Sequence, residues 1–155
     1  MHKYFPILKK KFNRLNNSII VVGGGRWATI IINELLLNFK GLKKIIVVTK
    51  NKNIFDNFSN KSKKKLKYES NLSFLKKEDK IKFAIIANKN KNHFSTSKLL
   101  IQRGLNILVE KPLVETASQY KILLSLSKTN NCKVFVSMPF YFSYYFYFFK
   151  QRYIK

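Results

Sequence analysis

The sequence is poor in cysteine and has no long apolar run. A single cysteine, Cys132, among 155 residues excludes a disulfide within the chain and a cysteine-based zinc site, so no metal is expected and the thiol is expected to be buried and structural. No apolar run approaches the roughly 20 residues that a membrane-spanning helix needs. Residues 1–17 form a basic extension without the continuous apolar segment of a secretory signal. The chain is therefore expected to be cytoplasmic, with no part in a membrane.

Acidic residues are also scarce. Seven Asp and Glu accompany 31 Lys and Arg, which gives a net charge of +24. Such a charge attracts anionic ligands and raises the hypothesis of nucleic-acid binding. However, the basic residues are 27 Lys and 4 Arg, whereas specific contacts to guanine and phosphate favour Arg. The chain is also rich in Asn, Ile and Phe, as an AT-rich coding sequence would be. Nucleic-acid binding is therefore the less favoured alternative.

The apolar residues that are present, 46% of the chain, fall into alternating strand-like and helix-like segments. The pattern predicts strands at 18–23, 44–49, 66–69, 82–87, 106–109 and 133–137. It predicts helices at 26–38, 92–103 and 116–127, a short helix near 54–58 and a helical turn at 73–77. This alternation is typical of right-handed crossovers and a parallel sheet with helices on both faces. The predicted fold is a doubly wound α/β domain of the Rossmann type over residues 18–138.

A glycine-rich loop follows the first predicted strand. It reads Gly23-Gly24-Gly25-Arg26-Trp27-Ala28 and opens the first helix. In this G-x-G-x-x-A pattern, Gly23 permits a tight turn and Gly25 lets the backbone approach a pyrophosphate. Ala28 lets the helix pack closely on the strand, and the helix N-terminus offers free N–H groups to phosphates. The alternative is a glycine-rich turn without a ligand, but the position between strand and helix favours dinucleotide binding.

The end of the second predicted strand bears on the choice between NAD and NADP. An acidic residue at this point normally binds the ribose hydroxyls of NAD. Here the strand ends in Val48-Thr49-Lys50 without an acid. Thr49 and Lys50 could instead contact a 2′-phosphate, which favours NADP. The alternative is that Lys50 is one more solvated lysine in a lysine-rich chain.

Three stretches together resemble the glucose–fructose oxidoreductase and inositol dehydrogenase family. They are residues 21–28, residues 84–93 and residues 104–113, the last of which contains the sequence Glu-Lys-Pro. The resemblance extends from residue 18 to about residue 142. It implies the N-terminal NAD(P)-binding domain of a two-domain oxidoreductase that transfers hydride to or from a carbon of a sugar, a polyol or a sugar nucleotide.

The resemblance also implies roles for particular residues. Lys111 matches the lysine that lies beside the nicotinamide and the reacting carbinol, and His93 matches a histidine nearby; both are therefore candidate catalytic residues. Pro112 follows a peptide bond that is often cis in the family. The glycine loop, Thr49 and Lys50 are joined in the cofactor site by Ala87, Asn88, Asn90, Glu110 and Pro112. Two alternatives stay open, because His93 could begin a helix without a ligand, and residues 110–112 could be an ordinary loop with an ion pair.

The sequence departs from the family at several points. Asn88 and Lys89 replace the usual Thr-Pro, and Tyr141 stands where the family has an arginine. The resemblance implies a second domain that this sequence is expected to lack. Residues 139–155 form an aromatic tail in which nine of the ten residues 140–149 are Phe or Tyr.

Such a tail should not stay exposed on a monomer. One hypothesis is that it packs against a partner, a second copy or a separately encoded second domain; the other is that the chain is a truncated gene product.

For the chain as a whole, the alternative to an oxidoreductase domain is a non-catalytic dinucleotide-binding subunit.

Overall fold

In the computed structural model, residues 18–39, 41–75, 81–138 and 152 are described. The basic extension 1–17 lies outside these ranges. The aromatic tail 139–155, which includes Tyr141, also lies outside them apart from residue 152. Within the described parts of the chain, no helix is both long and apolar enough to cross a bilayer.

Strands and helices alternate along the described residues. The strands are β1 Ile19–Val22, β2 Ile45–Val48, β3 Leu66–Glu69, β4 Phe83–Ile86, β5 Asn106–Val109 and β6 Val134–Val136. The helices are α1 Arg26–Asn38, α2 Asn60–Lys63, α3 His93–Gln102 and α4 Ala117–Thr129. Short 3₁₀ segments cover Lys52–Asn57, Leu72–Phe74 and Asn90–Asn92. The predicted strands and longer helices are confirmed to within two residues at each end.

The six strands form one sheet in the order β3-β2-β1-β4-β5-β6. Every neighbouring pair is parallel. The chain leaves β1 in one direction to reach β2 and β3, and returns to the other side of β1 to add β4. The sheet therefore has its topological switch point between β1 and β4, and ligands of doubly wound folds bind outside the carboxyl ends of the strands at such a point.

Both faces of the sheet are covered, which explains why the central strands β1, β2 and β4 are apolar without interruption. One face packs against α3 and α4, and its buried strand residues are Ile20, Val22, Ile46, Val48, Ala84, Ile86, Ile107 and Val109. The opposite face packs against α1 through strand residues that include Ile19, Val21, Ile45, Val47 and Ile85. Alternate residues of each strand thus enter different cores, as the period of two requires. The predicted Rossmann-type fold is confirmed.

The segment between β2 and β3 differs in detail from the prediction. Instead of one short helix near 54–58, it holds the 3₁₀ segment Lys52–Asn57 and then α2. The side chains of Asn51 and Ser59 accept hydrogen bonds from backbone N–H groups two and three residues ahead. Such local bonds favour tight turns over regular helix. The helical turn predicted at 73–77 lies at Leu72–Phe74, and residues 76–77 are outside the described ranges.

Candidate functional site

A cleft of about 840 Å³ opens at the carboxyl ends of the central strands. It lies at the switch point, with the glycine loop after β1 on one side and the end of β4 on the other. Its volume is within the range of pockets that hold cofactors and small ligands. The lining residues are Val22, Gly23, Gly24, Gly25, Arg26, Trp27, Val48, Thr49, Lys50, Asn51, Ser70, Asn71, Leu72, Ala87, Asn88, Lys89, Asn92, Ser95, Thr96 and Leu99.

The three glycines of the loop have different surroundings. Gly23 has a φ of +146°, which side chains rarely adopt, and a Cβ there would overlap the carbonyl oxygen of Ala87. A Cβ on Gly24 would overlap the hydroxyl of Thr49. Gly25 has an ordinary φ of −100°, and a Cβ there would meet no atom within 4 Å. The fold itself therefore requires glycine at the first two positions, but not at the third.

Gly25 is the N-cap of α1 and supplies no side-chain hydrogen bond to the first turn of the helix. The first N–H groups of a helix have no partner within the helix, and they carry its partial positive charge. Acidic residues are absent from the first turn, whereas Arg26 and Trp27 are exposed beside it. The arrangement is a bare helix N-terminus that faces an open cleft, which suits a phosphate group.

The end of β2 is tied to the glycine loop by Asn51. Its side-chain Nδ2 donates to the carbonyl of Gly24 at 3.0 Å, and its backbone N–H donates to Thr49 Oγ1 at 3.0 Å. Thr49 is buried, whereas Lys50 is exposed at the rim. Asn51 was missed by sequence reasoning. Its position three residues after the buried strand β2 was the available signal, because the carboxyl ends of parallel strands share one edge of the sheet.

The cleft is electropositive. Its described lining residues include three cationic side chains, Arg26, Lys50 and Lys89, and no carboxylate. The ion pair found within the described ranges joins Lys67 and Glu69 on β3 at 2.8 Å. The cleft cations thus have no carboxylate within 4 Å among the described residues, and their charge is available to an anionic ligand.

The end of β4 forms the other wall. The N–H of Ala87 donates to the carbonyl of Val22 at 2.8 Å, which joins this wall to β1. Asn88 Nδ2 donates to Thr96 Oγ1 at 2.9 Å, and its Oδ1 is buried with no partner among the described residues. Asn90 is exposed and does not line the cleft.

Helix α3 adds a side to the cleft that the sequence did not reveal. Asn92 precedes the helix, and Ser95, Thr96 and Leu99 line the cleft from it. No sequence signal marked these residues, because the packing of the helix against the sheet determines which of its faces lines the cleft. Ser70, Asn71 and Leu72 were also missed, although they directly follow β3.

Residues 110–112 follow β5, the neighbour of β4. The N–H of Glu110 donates to the carbonyl of Ile86 at 2.9 Å, and the Lys111–Pro112 peptide bond is cis. Glu110 is half-buried, whereas Lys111 and Pro112 are exposed. None of the three lines the cleft. Lys111 is thus exposed in the loop after β5, the neighbour of β4, and is not part of the cleft wall.

His93 begins α3 and is fully buried. Its Nδ1 lies 2.7 Å from the carbonyl oxygen of Pro112, and its Nε2 lies 3.1 Å from the carbonyl oxygen of Asn88. A neutral imidazole carries one N–H and donates to one of these carbonyls at a time. The catalytic role suggested for His93 stays a prediction, since in this structure its ring reaches backbone carbonyls and no solvent.

Several solved structures share this fold. The myo-inositol 2-dehydrogenase of Lactobacillus plantarum superposes with a TM-score of 0.75 at 16% identity, over 86% of this chain and 40% of that chain. Biliverdin reductase of Synechocystis, solved with biliverdin and NADP⁺, gives 0.72 at 17%, over 87% and 42%. GenD2 from gentamicin A biosynthesis, solved with NAD, gives 0.67 at 21%, over 77% and 34%. The chain thus spans less than half the length of each of these proteins.

The family comparison is more specific. No curated protein sequence matches the chain. A family model described as an oxidoreductase family with an NAD-binding Rossmann fold matches residues 18–138, most of the chain. Together with the strand order, the glycine loop and the cleft at the switch point, this match shows that the chain belongs to the glucose–fructose oxidoreductase, inositol dehydrogenase and MocA family and carries its NAD(P)-binding domain.

Proposed function

We propose that this cleft binds a nicotinamide dinucleotide for hydride transfer to or from a carbon of a sugar-like substrate. The observation that carries the proposal is the open space around Gly25. Among the described residues, neither packing nor an unusual φ requires glycine there, so the space beside the backbone is free for a ligand that approaches it closely. A pyrophosphate against the bare N-terminus of α1 is such a ligand.

The nucleotide we propose is NADP rather than NAD. The first positions after β2 are Thr49 and the exposed Lys50, and Arg26 lines the same cleft. A 2′-phosphate would add negative charge beside these cations, whereas the acid that would bind an unmodified ribose is missing from the lining. The choice of NADP is thus supported by the cations in the lining and by the lack of an acid among them.

The bound nicotinamide supplies a carbon that accepts or gives hydride. Lys111 would hydrogen-bond the oxygen of the reacting substrate carbon and take or return its proton. Its ammonium group is exposed and, among the described residues, has no carboxylate within 4 Å. Its loop follows β5, which pairs with β4, and this neighbourhood supports a role for Lys111 next to the nicotinamide.

The substrate needs more surface than this domain provides. We propose that the aromatic stretch 140–149 contacts protein, either a second copy or a substrate-binding domain, because nine of its ten residues are Phe or Tyr and such a patch is rarely left in water. Light scattering of the purified chain tests this: self-association supports it, and a monodisperse monomer counts against the second copy.

The proposed nucleotide site is tested by titration with NADPH and NADH. Trp27, the only tryptophan of the chain, lines the cleft and reports binding by its fluorescence. We expect saturable binding of both nucleotides, tighter for NADPH. In Gly25→Asp the new carboxylate would occupy the pyrophosphate position, so binding should be lost.

Ser125→Asp is the matched control, since it adds the same charge to an exposed position of α4. It should bind both nucleotides as the wild-type chain does. If the wild-type chain binds neither nucleotide, or if Gly25→Asp binds as well as Ser125→Asp, the proposed site is wrong.

A further inference from the structure

The buried ring of His93 joins two loops that come from neighbouring strands. Asn88 follows β4 and Pro112 follows β5, and these strands pair in parallel with Ile86 opposite Val109. The imidazole contacts the carbonyl oxygen of each loop, at 3.1 Å and 2.7 Å. Among the described residues, no other side-chain hydrogen bond connects these two loops.

Each of the two loops has a task in the proposed function, on which this inference rests. The glycine loop takes the pyrophosphate and the end of β2 takes the adenosine ribose. The nicotinamide is therefore left with the remaining half of the cleft, between the end of β4 and α3. Asn88 is part of that wall, and Lys111 directly precedes Pro112. The ring thus sets the spacing between the nicotinamide wall and the loop that carries Lys111.

We propose that His93 is a positioning residue, whose ring holds the carbonyls of Asn88 and Pro112 and so keeps the nicotinamide half of the cleft in shape. His93 is 0% exposed, so it acts through these two loops and does not touch the substrate. A ring that only filled space in the core would stabilise the domain as a whole. A positioning ring affects one half of the cleft more than the other.

The affinities for two ligands distinguish an effect on the nicotinamide half of the cleft from an effect on the whole cleft. NADPH occupies both, whereas 2′-phospho-ADP-ribose lacks the nicotinamide and contacts only the pyrophosphate and adenosine positions. In His93→Phe, which keeps an aromatic ring but neither hydrogen bond, we expect NADPH affinity to fall about tenfold or more. The affinity for 2′-phospho-ADP-ribose should change by less than about twofold, since that ligand does not reach the altered loops.

Two further variants complete the comparison. His93→Gln retains a donor for one carbonyl, so its loss of NADPH affinity should lie between those of the wild-type chain and His93→Phe. Leu100→Ala removes a side chain that is 0% exposed on the same helix and leaves both carbonyl contacts. It should lower the unfolding midpoint while the ratio of the two affinities stays that of the wild-type chain.

NMR of the imidazole gives a readout that does not depend on binding. The chain has two histidines, His2 and His93, so His2→Gln assigns the ring signals of His93. We expect a ring N–H proton of His93 that exchanges slowly with water, because it is buried and donates to a carbonyl. Rapid exchange of both ring nitrogens would overturn the proposal even if His93→Phe did not fold.

The other outcomes are equally decisive. Equal weakening of both ligands in His93→Phe assigns His93 a purely structural role and overturns the proposal. Equal affinity of the wild-type chain for the two ligands also overturns it, because the nicotinamide is then not held. Binding of neither ligand to the wild-type chain shows instead that the proposed nucleotide site is wrong, and the positioning role falls with it.

Discussion

The three consecutive glycines differ in whether their surroundings leave space for a side chain. Gly23 is required by its φ of +146° and Gly24 by the hydroxyl of Thr49, so both serve the packing of β1 against its neighbours. Gly25 has free space on the side where a Cβ would point. The fingerprint read from the sequence gave Gly23 the tight turn and Gly25 the approach to a ligand. The tight position of Gly24 depends on a contact with β2 and was not predicted.

The different surroundings of Gly24 and Gly25 predict different effects of alanine. Gly24→Ala places a methyl group against Thr49 Oγ1 and should destabilise the domain by about 1–3 kcal/mol, as overpacking does. Gly25→Ala adds a methyl group to open space and should cost less than about 1 kcal/mol at this N-cap position. Denaturant unfolding, followed by circular dichroism, measures both. Equal stability of the two variants would contradict the packing seen at Gly24.

Cys132 is the second residue with a prediction of its own. Burial raises the pKa of its thiol above the usual range, and the nearby Lys82 opposes this shift in part. Because the thiolate is the reactive form, folded protein should react with iodoacetamide more slowly than a cysteine peptide at slightly alkaline pH. The rate should rise as the pH is increased toward the raised pKa.

Mass spectrometry reads this reaction at a single site, since the chain has one cysteine. Protein in denaturant is the control and should react as fast as the peptide. A folded protein that reacts at the peptide's rate would show that the thiol is accessible and its pKa ordinary.

At the scale of elements, the central strands β1, β2 and β4 form where the apolar runs predict them, because they are buried on both faces. The local pattern succeeds wherever an element has a strong period, as in α1, whose buried residues Ala28, Ile32 and Leu35 lie on one face. It fails between β2 and β3, where Asn and Ser side chains bond to the backbone and replace one helix by two short segments. The spacing of apolar residues does not predict turns this short, because local side-chain hydrogen bonds determine their conformation.

Burial within elements predicts opposite outcomes for two isoleucines. Ile107 is 0% exposed on β5, between β4 and β6, whereas Ile122 is 43% exposed on α4. Ile107→Ala should destabilise the domain by about 2–5 kcal/mol, because it leaves a cavity in a packed core. Ile122→Ala, the same chemical change at the surface, should stay within about 0.5 kcal/mol of the wild-type chain. Thermal unfolding distinguishes the two, and a large loss at Ile122 would show that this face of α4 is covered.

At the scale of the whole molecule, the net charge of +24 first suggests nucleic-acid binding, but it attracts an anionic nucleotide as well. The chain belongs to an NAD-binding family, and three of its cations line the cleft without a carboxylate among the lining residues. A bound nucleotide would therefore experience both the general attraction of anions and the local contacts of its phosphates. Salt separates them, since it screens the distant charges most.

This separation gives a prediction for the two nucleotides. NADPH carries an additional phosphate, with a charge of roughly −1.5 to −2, so its affinity should fall more steeply with added NaCl than that of NADH. Lys50→Gln should bring the two salt dependences together if Lys50 meets the 2′-phosphate. Lys128→Gln removes the same charge from the last turn of α4 and should leave their difference unchanged. Fluorescence titrations at several salt concentrations measure this, and identical slopes in the wild-type chain would argue against the preference for NADP.

The sequence by itself determined the order of strands and helices, the Rossmann-type sheet and the place of the glycine loop. These depend on local periodicity and on a glycine pattern between a strand and a helix, both of which are contiguous in the chain. Only the tertiary structure decided which side chains meet. Asn51 reaches Gly24 across 27 positions and His93 reaches Pro112 across 19, and sequence spacing carries no information on where such side chains point. For the same reason the motifs named Lys111 and His93 as candidates, whereas only the tertiary structure shows that Lys111 is exposed in the loop after β5 and that His93 is buried at the start of α3.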